Sequence, residues 1–260
     1  MSGEIRTGDA VELKENIFQL SGSKGPGGAR VYLVRGRKKN LLIDTGLPSD
    51  GEAIEAQLRS LDLSVEDIDL IVLTHEHMDH IGGVPRFGSR AVVAAHTLAA
   101  NKIGLQDEFV LMTKAFGHGV DDFHIDIHLH HGTLIDVGGY TLQTLHTPGH
   151  CSGAICLYEP VHQLLFTGDT IFANGTLGGI FPSGNISDYI GTLQHLANMK
   201  VREIYPGHGK ISTDAGADFE RAIRGSMNLM RDTRSLFTAL NAQSEFRNLM
   251  KSIAAYSRQV

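Results

Sequence analysis

The chain has 260 residues, enough to bury a full core without disulfides or a structural metal. Its 42% hydrophobic and 20% charged content is ordinary globular usage, which excludes a disordered or fibrous protein. A formal net charge of -6, with no basic cluster beyond Arg35, Arg37, Lys38 and Lys39, argues against a nucleic-acid partner, whose backbone demands positive charge along a surface.

The first elements read as short strands at Asn16–Leu20, Val31–Val34 and Leu41–Asp44, with the Gly22–Gly28 stretch as a loop. Ser49–Leu61 carries Ile54, Leu58 and Leu61 at helical spacing, with Ser49 or Asp50 as its cap. Asp67–Thr74 is an apolar run suited to a strand buried on both faces, and it ends directly at His75. Ala91–Ala95 is another such strand. Thr97 to about Phe116 is predicted helical, and Val120–His131 irregular. Four strands follow at Thr133–Val137, Tyr140–His146, Ala154–Tyr158 and Gln163–Thr167, then a helix over Ser187–Met199 and a strand at Glu203–Tyr205. From Asp214 the pattern is helical to Ile253. This order predicts an α/β fold of two mixed sheets face to face with helices outside. Residues 1–212 form the main domain, with 213–260 as a helical extension packed on it.

No apolar run approaches the roughly 20 residues that span a bilayer, and Met1–Gly8 lack the apolar region of a signal peptide. The two cysteines, Cys151 and Cys156, read as reduced, one in a loop and one in the core. The expectation is a cytoplasmic protein without a membrane partner, acting on a small molecule; a homodimer is compatible with it.

Chemistry concentrates in His75-Glu76-His77-Met78-Asp79-His80, directly after a buried strand. At an extended strand end, residues two apart point the same way, so His75 and His77 converge. If the chain then turns into a helix, Asp79 and His80 leave its first turn toward the same centre. Imidazole and carboxylate are the usual ligands of zinc and its neighbours. His150, Asp169 and His208 each follow a strand and stand beside a glycine, which lets the backbone approach a shared rim. Together these seven side chains are an inventory for two metals. Of the 14 histidines, His118, His124, His128, His130 and His131 read as surface residues, His146 as packing behind the metal loop, and His96 and His195 as ordinary helix-proximal residues.

From Leu42-Ile43-Asp44-Thr45-Gly46 through the His-x-His-x-Asp-His run to His150, Asp169 and His208, the sequence resembles the metallo-β-lactamase superfamily, and its glyoxalase-II-like and lactonase-like hydrolases in particular. The resemblance implies a four-layer αβ/βα sandwich with metals at the edge between the sheets. It also implies that His75, His77 and His150 hold one metal, that Asp79, His80 and His208 hold the other, and that Asp169 bridges them. Asp44 would fix the metal loop through hydrogen bonds. The cofactors implied are two divalent ions, zinc first, with iron or manganese as the other candidates. The activity implied is hydrolysis of an ester, thioester or lactone bond of a small molecule by a metal-bridging hydroxide, with Asp79 catalytic as ligand and orienter of the nucleophile.

Asp169 separates the chain from the β-lactamases of this fold, which lack the bridging aspartate. His77 separates it from flavodiiron relatives, which place a glutamate there. The rival readings are a sulfur-dioxygenase-like enzyme using one iron, a phosphodiesterase of the same fold, and a non-enzymatic member that only binds a ligand. Two segments are expected to shape the pocket, Ala99–Ile125 and Ile171–Gly184, where Phe172 and Phe181 either line the site or plug the core. Arg221, Arg224, Arg231 and Arg234 recur at helical spacing, either reaching an anionic substrate or forming a solvated face.

Overall fold

Seven short strands build the first sheet: β1 (Val11–Lys14), β2 (Ile17–Leu20), β3 (Val31–Arg35), β4 (Asn40–Ile43), β5 (Leu70–Leu73), β6 (Val92–His96) and β7 (Ile127–Leu129), side by side in that order. The first four pair antiparallel and the last three add in parallel. The second sheet contains β8 (Leu134–Asp136), β9 (Thr141–His146), β10 (Ile155–Glu159), β11 (Leu164–Gly168) and β12 (Glu203–Pro206), all antiparallel except the parallel pair β11 and β12. The structure, a computed structural model, describes residues 10–20, 28–87, 90–117, 119 and 123–241, with the backbone alone for 232–241.

Successive side chains of a strand point to opposite faces, and the two faces of each sheet fill different cores. Tyr32, Val34, Leu41, Ile43, Val72 and Ala94 meet Leu142, Ile155, Leu157, Leu164, Phe166 and Tyr205 between the sheets. Their neighbours Leu33, Leu42, Ile71, Leu73 and Val93 face outward onto α1 (Gly51–Ser60) and α3 (Thr97–Gly104) through Ile54, Leu58, Ala99 and Ile103. Leu145, Cys156, Leu165 and Ile204 face the other way, onto α5 (Ile186–Ala197) and α6 (Ala215–Asn241) through Tyr189, Leu193, Leu196, Phe219 and Ala222. The result is the expected αβ/βα sandwich. Two single-turn helices, α2 (Met78–Ile81) and α4 (Thr113–Phe116), lie in the connections of the first half.

Two expectations need correction, and one strand, β1, was not expected. The span from Thr97 to Phe116 is not one helix: α3 stops at Gly104, and Gln106 and Met112 take left-handed backbone (φ 51° and 60°). Between them, Asp107 Oδ1 accepts the Phe109 and Val110 N–H groups at 3.2 Å, a local side-chain bond that replaces the helical one. The segment 120–131 is not wholly irregular, since β7 closes the first sheet with only Leu129 buried. β1 was hidden for a similar reason, being a half-exposed edge strand with a register shift at Glu12. Residues 22–27 of the glycine-rich loop, His118 and the helical pattern beyond Asn241 lie outside the described residues.

Phe166 sits between Tyr32 (ring centroids 5.2 Å apart) and Tyr205 (5.1 Å), both edge-on, under the strand end that carries Asp169. Its truncation leaves a cavity between the sheets: Phe166→Ala is expected to cost about 3–5 kcal/mol in denaturant unfolding.

Candidate metal centre

The C-terminal ends of β4, β5, β9, β11 and β12 deliver Asp44, His75, His150, Asp169 and His208 to one edge of the sandwich. After β5 the chain bends through residues 74–76 rather than continuing as a strand, so the convergence of His75 and His77 comes from the bend and not from a strand's alternation. His77 then caps α2, whose first turn carries Asp79 and His80 as expected.

The structure brings all seven predicted side chains together. Ligand atoms of His75, His77 and His150 form one group within 4.8 Å, those of Asp79, His80 and His208 another, and those of His75, His80 and Asp169 a third that joins them. In the first group His77 Nδ1 lies 3.1 Å from both His75 Nε2 and His150 Nε2. Nitrogens about 2.0–2.1 Å from a shared tetrahedral zinc stand about 3.3 Å apart, so the spacing fits. In the second, His208 Nε2 is 3.0 Å and His80 Nε2 3.7 Å from Asp79 Oδ2. Asp169 faces both groups: Oδ1 is 3.3 Å from His80 Nε2 and 3.6 Å from His208 Nε2, and Oδ2 is 3.8 Å from His150 Nε2.

Second partners set the ring tautomers. His80 Nδ1 donates to Asp44 Oδ2 at 2.8 Å, and His150 Nδ1 donates to the Gly179 carbonyl at 3.2 Å. Thr74 gives its own proton to Asp44 Oδ2, so His75 Nδ1, 3.1 Å from that hydroxyl, donates to it. In the neutral form of each ring, Nε2 is then the atom whose lone pair is aimed into the cluster.

Electrostatics favour a cation there. Burial pushes His75 well below its ordinary pKa, His77 to about 3, and His150 below its ordinary value, with neighbouring imidazoles adding to the shift in the first two. Neutral imidazole is the form that binds metal. Burial works the same way on His80, but Asp79, Asp169 and Asp44 outweigh it and raise the ring well above its ordinary value. Burial likewise opposes ionisation of Asp169, yet His80 and its fellow imidazoles hold that carboxyl far below the usual range. His80 Nε2 and Asp169 Oδ1, which face the cluster, are buried without a hydrogen-bond partner, a condition that normally calls for an ion or water. Donor set, spacing and orphaned atoms all fit a divalent metal.

The family model of the metallo-β-lactamase superfamily matches residues 25–208. This chain belongs to the metallo-β-lactamase superfamily. Among curated relatives, the human acyl-coenzyme A thioesterase MBLAC2 is 31% identical over 235 residues, covering 77% of this chain and 78% of its own. The atrochrysone carboxyl ACP thioesterase of Emericella nidulans is 24% identical, covering 91% and 69%. Among solved structures, a metallo-β-lactamase family protein of Thermus thermophilus superposes with a TM-score of 0.70 at 24% identity, covering 89% and 85%. A subclass B3 metallo-β-lactamase of Bradyrhizobium japonicum gives 0.71 at 22%, covering 89% and 96%. The chain is a metal-dependent hydrolase of this superfamily.

Within the superfamily fold, two glycines are required by contact. Gly168 has φ 47°, and a Cβ there would meet Thr74 Oγ1 at 2.5 Å; one at Gly207 would meet Asp169 Oδ1 at 2.5 Å. Tyr189, fully buried on α5, donates to the Thr170 carbonyl at 2.7 Å and fixes the turn after Asp169. Phe172 and Phe181 belong to none of the cores. Phe181 stands edge-on to His77 and His150 (4.9 and 5.0 Å) and Phe172 to His208 (5.9 Å), so both line the site. Arg221 is engaged by Asp218 and the Asn174 carbonyl, which ties α6 to the 171–184 loop instead of presenting a cation to substrate. His124, His128, His130 and His131 are exposed; His96 is buried, caps α3 and stacks on His146 at 4.0 Å.

Sequence reasoning missed Glu76. It is fully buried between two predicted ligands, and Lys102 Nζ reaches its Oε1 at 2.5 Å and Ser152 Oγ at 2.5 Å. Ser183 and Cys151 donate to the same carboxylate at 3.1 and 3.3 Å. Burial disfavours the charged form, but Lys102 outweighs it and lowers the Glu76 pKa below its ordinary value. The pair thereby ties the metal loop to α3, the His150 loop and the Phe181 loop. The only signal in the sequence was an acidic residue inside a run too buried to solvate it. Lys102→Ala is expected to cost about 3–5 kcal/mol in chemical unfolding by stranding the carboxylate. Combining Lys102→Met with Glu76→Gln is expected to recover most of that loss.

Proposed function

We propose that this superfamily member is a two-metal hydrolase of acyl thioesters, with esters and lactones as carbonyl substrates of the same chemistry. The observation that carries the metal count is Asp169, whose two oxygens face separate ligand groups. The thioester choice is supported by two relatives named as thioesterases. His75, His77 and His150 would hold one cation, Asp79, His80 and His208 the other, and Asp169 both; zinc is the expected metal. When bound, the metals supply Lewis acidity and a water ionised near neutral pH.

The protein's own groups do the rest. Asp44 keeps a proton on His80 Nδ1, which preserves Nε2 as a ligand. Asp79 reaches the centre from the first turn of α2, with Oδ2 beside His80 and His208, and would orient the attacking water. No side-chain nucleophile enters the reaction. Cys151, the nearest thiol, is fully buried, and burial together with Glu76 pushes its pKa well above the ordinary value. A departing thiolate, whose thiol has a pKa of about 8.5, needs no dedicated proton donor. Neither described cysteine is paired, which supports a reducing, cytoplasmic setting. No helix among the described residues is long and apolar enough to cross a membrane.

Metal-loaded protein is expected to release thiol from an acyl-coenzyme A and to leave a phosphodiester reporter intact. Oxygen consumption on a persulfide, with no thioester cleavage, would replace this reading with the iron-dioxygenase one. His77→Ala and Asp169→Ala are expected to lose metal and turnover together while circular dichroism stays native. Asp44→Asn, which disturbs His80 directly and His75 through Thr74, is expected to lower metal affinity or activity about 10–100-fold.

A further inference from the structure

A cavity of about 340 Å³ opens beside the metal centre. Phe109, Met112 and Ala115 form one wall, Phe181 and Pro182 the other, and the exposed pair Glu108 and Lys114 (3.2 Å) stands at its rim. Its size falls within the roughly 300–1,000 Å³ of pockets that enclose small molecules. Both walls are fastened to the ligand loops. Phe181 donates its N–H to the His150 carbonyl at 3.0 Å, and Leu111, next to Met112, accepts the Met78 N–H at 2.9 Å. The Phe181 ring is shared: it lines the cavity and stands edge-on to His77 and His150. The cavity and the ligand cluster thus share the Phe181 ring as a common wall on the His77 and His150 side.

The lining decides what fills that space. Apart from the rim pair the side chains are hydrocarbon, aromatic or thioether, so a polar substituent would lose its water without gaining a partner. An alkyl chain would only bury apolar surface. Phe109 is 75% exposed and gains cover from such a chain. Met112 has a left-handed backbone and stands directly before α4, whose residue Ala115 continues the same wall.

Resting on the thioester reading above, we infer that this cavity is an acyl-chain subsite, which makes the enzyme selective for medium- and long-chain fatty acyl thioesters. Phe109, Met112, Ala115, Phe181 and Pro182 are the specificity-determining residues. The reaction that must supply such a substrate is acyl activation onto a thiol carrier, and the products are a free fatty acid and the carrier thiol.

Two measurements test it on the full chain. The first is kcat/KM of metal-loaded protein on acetyl-, butyryl-, octanoyl-, dodecanoyl- and palmitoyl-coenzyme A. The second is calorimetric binding of the matching non-hydrolysable S-alkyl-coenzyme A thioethers, with and without metal. Both are expected to rise with chain length, by about two- to fourfold per methylene until the cavity is filled. Ala115→Trp, which occupies the cavity, and Phe109→Glu, which charges its exposed rim, are each expected to lower the palmitoyl-to-acetyl ratio at least tenfold. Phe109→Glu alters an exposed side chain, so it remains informative if Ala115→Trp does not fold. Thioester turnover without chain-length dependence, or a dependence that both folded variants leave intact, would overturn the subsite. Thioether binding that rises with chain length while no thioester is cleaved would support the subsite and overturn the thioesterase reading instead.

Discussion

Asp44 leaves β4 with a left-handed backbone (φ 61°) and carries a buried carboxylate across to the end of the neighbouring strand β5. There it accepts the Thr74 N–H at 2.7 Å, the Thr74 hydroxyl at 2.8 Å and His80 Nδ1 at 2.8 Å. The Thr74 hydroxyl in turn takes the proton of His75 Nδ1. One carboxylate thus orients a ring in each ligand group, His75 in the first and His80 in the second. The Asp44 side chain is tolerated at this depth because three donors satisfy it. The rest of the centre hangs on that arrangement: Gly168 exists in its conformation so that β11 can close against Thr74, and β11 then delivers Asp169.

The same region holds a second buried carboxylate with a different task. Glu76 alternates with His75 and His77 and points away from the ligand cluster toward Lys102, Ser152 and Ser183. Asp44 orients rings, whereas Glu76 fastens loops. Because the His150 and Phe181 loops are both among its partners, the wall of the apolar cavity and the ligands of the first group are held by one ion pair. Catalysis needs ligands fixed to fractions of an ångström, and packing alone on loops does not give that precision.

The sandwich was legible because strands buried on both faces leave continuous apolar runs. Leu70–Leu73 and residues 164–166 are examples, and each is followed at once by a polar residue that burial alone would forbid. The seven clustered side chains were legible for the same reason. Less legible were elements decided by tertiary context. β1 and β7 are edge strands with one half-exposed face, so their patterns are short and mixed. The break at residues 105–112 turns on a side-chain cap from Asp107 and two left-handed residues that no periodicity announces. Lys102 carries no local signal of its role, since its partner Glu76 lies 26 residues away in sequence and only folding joins them. Sequence alone suits Phe181 to either core or site, and its distance to His77 and His150 places it at the site.

The central claim is that Asp169 completes a centre for two cations. Its most direct test is metal content by mass spectrometry, on protein purified without added metal and again after reloading with zinc. The account predicts close to two metal ions per chain, falling to one or none in Asp169→Ala with the fold intact. A single iron per chain, unchanged by reloading and by the Asp169 substitution, would contradict it.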